Sequence, residues 1–143
     1  GMKDHDIAAQ LRTFTPPKQT FSVRTEHGIT ILDDTHNSSP PSVKAAIGWA
    51  KGQPFDHKTL VMAGLIEQGE ATERAHRELG AAARGVFERV IILDNDLAPF
   101  FAAGYGKSVE MLSPQTAKIP TGSLLCCSGR MSASVIDRLL PKL

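Results

Sequence analysis

The chain has 143 residues and a formal charge of +1 at pH 7, with 41% hydrophobic and 22% charged residues. This size and balance are typical of one globular domain with a core of its own. Because its Lys and Arg residues form no stripe and no apolar run approaches the roughly 18 residues of a membrane span, we expect neither nucleic acid nor a membrane as a partner.

Hydrophobic periodicity predicts an N-terminal helix, a pair of strands, and then helices and strands in alternation. The predicted helices span residues 4–14, 41–51, 72–83 and 131–140, with a short one that ends at residue 103. The predicted strands span residues 20–26, 29–33, 59–62, 87–93, 109–112 and 123–127. This alternation predicts an α/β fold, with a mostly parallel sheet and helices on both faces. His27 and Gly28 suit a tight turn, so we expect the first strand to be an antiparallel edge strand.

Cys126 and Cys127 are adjacent and lie in the last predicted strand. Neighbouring side chains of a strand point to opposite faces, so we expect no disulfide between them. Free cysteines are typical of a reducing compartment, and we expect a cytoplasmic protein. No cluster of residues in the sequence has the spacing of a metal site. We also identify no Ser/His/Asp arrangement of the kind used in nucleophilic catalysis.

A run of seven polar residues, 33–39, joins the second strand to the helix that follows it. Open α/β sheets bind ligands at this position, outside the carboxyl ends of their strands. A carboxylate such as Asp33 or Asp34 can accept both hydroxyls of a ribose, Asn37 can hold a base edge or a phosphate, and a helix N-terminus attracts anions. Asp and Asn also form turns and helix caps, so a purely structural role is the alternative.

Three further stretches contain polar or unusual residues. In the turn after the last strand, Gly129 can allow a close approach to a phosphate that Arg130 neutralises, although a plain turn is as good an interpretation. The loop over 63–69 contains Leu65 and Ile66, which either pack on the core or cover a ligand or a neighbouring domain. We expect His76 on the polar side of its helix, as a surface or capping residue and not a catalyst.

Three segments resemble the C-terminal domain of the Mur ligase family. The string ITILDDTHNSSPPSVKAAI, at 29–47, resembles the I-x-D-D-x-Y-N-A-N-P-x-S-x-x-A-A segment that opens this domain. VMAGLIEQGE, at 61–70, is similar to V-L-G-D-M-L-E-L-G-E, and HRELG, at 76–80, is similar to H-R-E-x-G. The resemblance covers almost the whole chain and is closest to the subfamily that adds D-alanyl-D-alanine to a UDP-linked muramoyl tripeptide. With His36 at its Tyr position, the motif is also similar to the equivalent motif of folylpolyglutamate synthases.

The resemblance implies a Rossmann-like third domain of an ATP-dependent amide ligase of peptidoglycan synthesis. Residues 19–143 would form that domain, and residues 1–18 would be a tag remnant and the end of a linker from a central domain. The family's N-terminal and central domains would be missing partners, with the central domain holding most of the ATP and Mg²⁺. A UDP-muramoyl peptide and an amino acid or dipeptide would be the substrates. The chain would close over the nucleotide and would be inactive alone.

The resemblance also implies site residues, none of them catalytic or metal-binding. Those implied for the nucleotide are Asp33, Asp34, His36, Asn37 and Arg24. Those implied for the substrates are Ser38, Glu67, Ser128 and Arg130.

Three positions depart from the family pattern. Thr20 stands where the family has an Arg, Gly64 where it has an Asp, and Cys127 where it has a Lys. These departures fit a second hypothesis, a diverged α/β module that binds a nucleotide or another ligand without catalysis. A third hypothesis is a small enzyme that uses His36 with Asp33 as a general base.

Overall fold

The computed structural model describes residues 17–66 and 68–142, so the predicted helix over residues 4–14 lies outside the described part of the chain. The strands are β1 (Ser22–Glu26), β2 (Ile29–Asp34), β3 (Lys58–Met62), β4 (Arg89–Ile92), β5 (Glu110–Met111) and β6 (Leu124–Ser128). The helices are α1 (Pro40–Lys51), α2 (Thr72–Ala83), α3 (Ala98–Tyr105) and α4 (Ala133–Leu139), and a 3₁₀ turn over Gly69–Ala71 precedes α2.

One six-stranded sheet runs through the described residues in the order β1-β2-β6-β3-β4-β5. Every neighbouring pair is parallel except β1 and β2. The predicted mostly parallel sheet with an antiparallel N-terminal edge is therefore confirmed. Because β6 lies between β2 and β3, the ends of these three strands bring distant parts of the sequence together.

The β1–β2 hairpin turns at His27 and Gly28, as predicted. Both residues have positive φ, 50° and 74°. A two-residue turn with left-handed conformations at both positions matches the right-handed twist of the strands that it joins. The turn fixes the register, in which Ser22 pairs with Asp33 and Glu26 with Ile29.

Helices cover both faces of the sheet and divide the core into two clusters. Helices α1, α2 and α3 pack on one face, and α4 packs on the other. The strands contribute to both clusters by alternation: Cys126 lies in the first, and Cys127 in the second. The two cysteines are free and point to opposite faces, as predicted.

The predicted elements are confirmed in the described residues, with shifted ends. The edge strand β5 has two residues instead of the predicted four. It pairs only through Ile91 with Glu110 and Ile92 with Met111, since an edge strand has one neighbour to extend along. None of the helices in the described ranges is long and apolar enough to cross a membrane.

Candidate ligand-binding site

A polar cavity of about 440 Å³ lies at the carboxyl edge of the sheet, beside the N-terminus of α1. It is lined by His36, Asn37, Ser38, Ser39, Ile66, Gln68 and Arg130. Four of the predicted site residues are among these: His36, Asn37, Ser38 and Arg130. The structure thus brings together a turn after β2 and a turn after β6.

Ser38 joins these two turns. Its hydroxyl donates to the backbone carbonyl of Asp34 at 3.0 Å and accepts the backbone N–H of Gly129 at 2.7 Å. Gly129 has a φ of 94°, and a Cβ there would lie 2.7 Å from the carbonyl oxygen of Ala63. Glycine is required at this position by both the backbone conformation and the close approach. Ser38 therefore links the end of β2 to the turn after β6.

The first turn of α1 is capped by its own residues. The Ser39 hydroxyl accepts the N–H of Ser42, and the Ser42 hydroxyl accepts the N–H of Ser39. Pro40 and Pro41 have no N–H, and the N–H of Val43 donates to the carbonyl of Ser39. Although the helix dipole remains, this turn offers no free backbone donor to an anion. An anion in the cavity would depend on side-chain donors.

Arg130 is the one Lys or Arg side chain among the residues that line this cavity. It is exposed, and a guanidinium can hold a carboxylate or a phosphate through two parallel hydrogen bonds. His36 and Asn37 are also exposed and add polar groups on the facing wall. This arrangement can bind an anionic, hydrogen-bonding ligand.

The two predicted carboxylates lie beneath the cavity and do not line it. Asp33 is 5% exposed, and its two oxygens accept hydrogen bonds from Arg24 at 2.6 Å and from the Thr35 hydroxyl at 2.7 Å. Asp34 is 4% exposed and accepts the backbone N–H of Phe21 at 3.2 Å. Both carboxylates therefore accept hydrogen bonds from other groups of this chain. Their role in nucleotide binding, like that of Arg24, stays a prediction.

Ser128, a predicted substrate residue, is not among the described residues that line the cavity. Ser128 is entirely buried, and its hydroxyl has no hydrogen-bond partner in the described part of the chain. Glu67 lies outside the described residues.

A second cavity, of about 630 Å³, adjoins the first and shares Ile66 and Arg130 with it. Its other walls come from the loops after β3, β4 and β6 and from the start of α4, including Gly64, Asp94 and Asp96. Leu65 is 4% exposed and belongs to the core, whereas Ile66 is 51% exposed between the two cavities. The interpretation that the loop packs on the core therefore holds for Leu65, and the interpretation that it covers a ligand or a neighbouring domain stays a prediction for Ile66.

The expectation that His76 lies on the polar side of its helix is wrong, because its side chain is only 1% exposed. Its Nε2 accepts the backbone N–H of Leu65 at 3.2 Å, and its Nδ1 donates to the carbonyl of Thr72 at 2.7 Å. A carbonyl can only accept and an N–H can only donate, so these partners fix a neutral ring with its proton on Nδ1. The helical spacing from His76 to Leu79 and Ala83 was the signal that could have placed it on the buried face.

The departures from the family pattern have structural correlates. A Cβ on Gly64 would lie 2.0 Å from a methyl group of Leu97, so Leu97 fills the space that a side chain would need. Cys127 is entirely buried under α4 and has no access to the cavity. Thr20 is exposed in the segment before β1. The site therefore lacks the three charges that the family pattern would supply at these positions.

The chain shares its fold with solved Mur ligase structures. Its structure aligns with a MurF ligase from Acinetobacter baumannii at a TM-score of 0.80 and 20% identity, over 99% of this chain and 34% of that one. It also aligns with the MurF ligase from Thermotoga maritima solved in complex with ADP, at a TM-score of 0.67 and 23% identity, over 92% of this chain and 31% of that one.

Part of the sequence is also similar to that of a curated ligase. Over 60 residues, 41% of this chain, it is 37% identical to the UDP-N-acetylmuramoyl-tripeptide–D-alanyl-D-alanine ligase of Bacillus subtilis. The match spans 13% of that relative's length. No protein-family model matches the chain. The resemblance to the Mur ligases, and among them to the D-alanyl-D-alanine-adding ligases, is confirmed.

Proposed function

We propose that this chain is the C-terminal domain of an ATP-dependent amide ligase of peptidoglycan precursor synthesis. It would close over ATP and the incoming amino acid or dipeptide. The observation that carries the proposal is the 37% identity to a ligase whose name states its substrates, a UDP-linked muramoyl tripeptide and D-alanyl-D-alanine. The ADP complex of the Thermotoga maritima structure supports the nucleotide part of the proposal.

The geometry supports a binding site to which this chain contributes one part and the other ligase domains contribute the rest. Arg130, His36 and Asn37 meet in one polar cavity and can hold the anionic or hydrogen-bonding groups of a ligand. Among the described residues, no group of three or more His, Cys, Asp or Glu side chains could hold a metal ion. In this proposal the other ligase domains hold most of the magnesium and the triphosphate, and we expect no ligation by this chain alone.

The partners in this proposal are the N-terminal and central domains of the ligase. The chain spans about a third of the MurF structures with which it aligns. We further propose that the protein acts in the cytoplasm, which the two free cysteines support.

A diverged module that binds a ligand without catalysis is the second candidate. The packing of Leu97 over Gly64 and the buried Cys127 favour it, because neither position can supply the charge that the family pattern has there. The two candidates share the cavity and differ in whether amide-bond formation follows binding.

A titration of the ¹⁵N-labelled chain with ADP tests the shared site. We expect amide shifts concentrated at His36, Asn37 and Arg130, with weak affinity. Arg130→Ala should weaken binding roughly tenfold or more, because a charge-assisted hydrogen bond contributes about 1.5–3 kcal/mol. Arg138→Ala removes the same charge from another exposed position, outside this cavity, and should leave the affinity unchanged. Absence of shifts, or equal effects of the two variants, would contradict the proposal.

A further inference from the structure

Two residues ahead of β1 adopt a backbone conformation that their side chains disfavour. Gln19 has a φ of 65° and Phe21 a φ of 45°. Left-handed φ is common for glycine and uncommon for other residues, and an aromatic residue there is an outlier. Unlike His27, neither residue belongs to the hairpin turn. Such a conformation persists only where surrounding contacts hold it in place.

Three hydrogen bonds join these two residues to the polar segment that leads into the cavity. The carbonyl of Gln19 accepts the backbone N–H of His36 at 3.0 Å, and its side-chain amide donates to the Thr35 hydroxyl at 3.1 Å. The Thr35 hydroxyl gives its own proton to Asp33, so its lone pair is free for Gln19. On the other side, the N–H of Phe21 donates to Asp34.

The ring of Phe21 extends this attachment to α1. It packs edge-on against Trp49, with the ring centroids 6.4 Å apart. Trp49 is the single tryptophan of the chain. Residues 17–21, here called the strap, are therefore fastened both to the end of β2 and to the helix that follows the cavity turn.

We propose that Gln19 is a positioning residue and that the strap holds the His36–Asn37 turn in its ligand-facing position. Because Gln19 is held against its backbone preference, loss of its side-chain contact lets φ relax, and the carbonyl that accepts the N–H of His36 moves with it. Strap attachment and ligand occupancy are then coupled, and each strengthens the other. The coupling to a ligand rests on the proposed function, whereas the attachment of the strap does not.

Amide hydrogen exchange of the full chain tests the attachment without a ligand. In Gln19→Ala we expect the His36 amide to exchange at least about fivefold faster, the Ile31 amide in β2 to keep its rate, and Trp49 emission to shift. Gln19→Gly should restore most of the protection, because glycine adopts the left-handed conformation at no steric cost. This rescue by a smaller side chain is a result that simple loss of a contact would not give.

Thr20 provides the matched control, since it is an exposed neighbour whose φ is not positive. Thr20→Ala should leave the exchange of the His36 amide unchanged. Unchanged exchange in Gln19→Ala, or equal loosening in Gln19→Ala and Gln19→Gly, would overturn the role of Gln19.

ADP then tests the coupling. We expect Gln19→Ala to raise the Kd at least about threefold and Thr20→Ala to leave it unchanged. If both variants bind ADP as the wild type does, the coupling is wrong and the proposed function stands. If the wild-type chain binds no ADP, the nucleotide part of the proposed function fails, and the exchange data still decide whether Gln19 positions the turn.

Discussion

Cys126 and Cys127 show how strongly one residue's environment depends on the alternation of a strand. Both side chains are entirely buried, on opposite faces of the sheet. Burial raises the pKa of the Cys126 thiol to about 12 and holds that of Cys127 well above its usual range. A reactive thiol needs the opposite, an exposed sulfur with a lowered pKa.

We therefore predict that neither thiol reacts in the native chain. Since the pKa of Cys126 is about 12, the thiol stays protonated at pH 8, and burial excludes the reagent as well. Mass spectrometry after iodoacetamide treatment at pH 8 should show no modification in buffer and two modified sites in denaturant. Rapid modification of the native chain would contradict the buried placement.

Single residues also mark the limit of what the sequence could show about the site. The positions of His36, Asn37 and Arg130 at the ends of strands were enough to single them out as candidate ligand-binding residues, but not to predict that they meet in one cavity. The same reasoning could not show that Arg24 and Thr35 occupy both oxygens of Asp33. Which donor forms a hydrogen bond with a carboxylate depends on the β1–β2 register. The sequence pattern does not determine the side-chain geometry that follows from this register.

At the scale of elements, α2 and α3 pack at a distance that only glycine permits. A Cβ on Gly80 would lie 2.1 Å from the carbonyl oxygen of Phe101, and one on Gly104 would lie 1.8 Å from that of Arg77. Both contacts are with backbone atoms, which cannot rotate away. The absence of a side chain at these two glycines therefore sets the distance between α2 and α3.

We predict that Gly80→Ala and Gly104→Ala each lower the free energy of unfolding by about 1–3 kcal/mol or more, the range for overpacking. Gly48, on α1, is the control, since a Cβ there would meet no atom within 4 Å. Gly48→Ala should stabilise the chain by up to about 1 kcal/mol through helix propensity. Urea unfolding measures all three, and a stabilising Gly80→Ala would contradict the close packing of α2 and α3.

Most elements could be predicted because their patterns are strong. The predicted bounds of α2, 72–83, agree with Thr72–Ala83, because Ala75, Leu79 and Ala83 recur at helical spacing. The ends of β5 could not be predicted, since the length of an edge strand depends on its one neighbour. His76 was misplaced for a different reason, because its polar residue type was given more weight than its helical spacing to Leu79 and Ala83; its buried partner, the N–H of Leu65, lies in the loop ahead of α2.

At the scale of the whole molecule, the sequence could predict the class of sheet but not the strand order. Apolar runs show that a strand is covered on both faces, and they carry no information about which strand lies beside it. The position of β6 between β2 and β3 is what brings Gly129 to Ser38. The resemblance to the Mur ligases, rather than the residue pattern, was what gave the cavity a specific chemical interpretation.

The central claim, that this domain belongs to an amide ligase, is tested most directly by amide-bond formation. The measurement is phosphate release by the complete product of the gene that encodes this chain, supplied with ATP, Mg²⁺, UDP-muramoyl tripeptide and D-alanyl-D-alanine. We predict release that requires both the tripeptide and the dipeptide, and a ligated product in equal amount. A complete gene product that binds ADP but forms no amide bond with any amino acid or dipeptide would contradict the account and favour the diverged binding module.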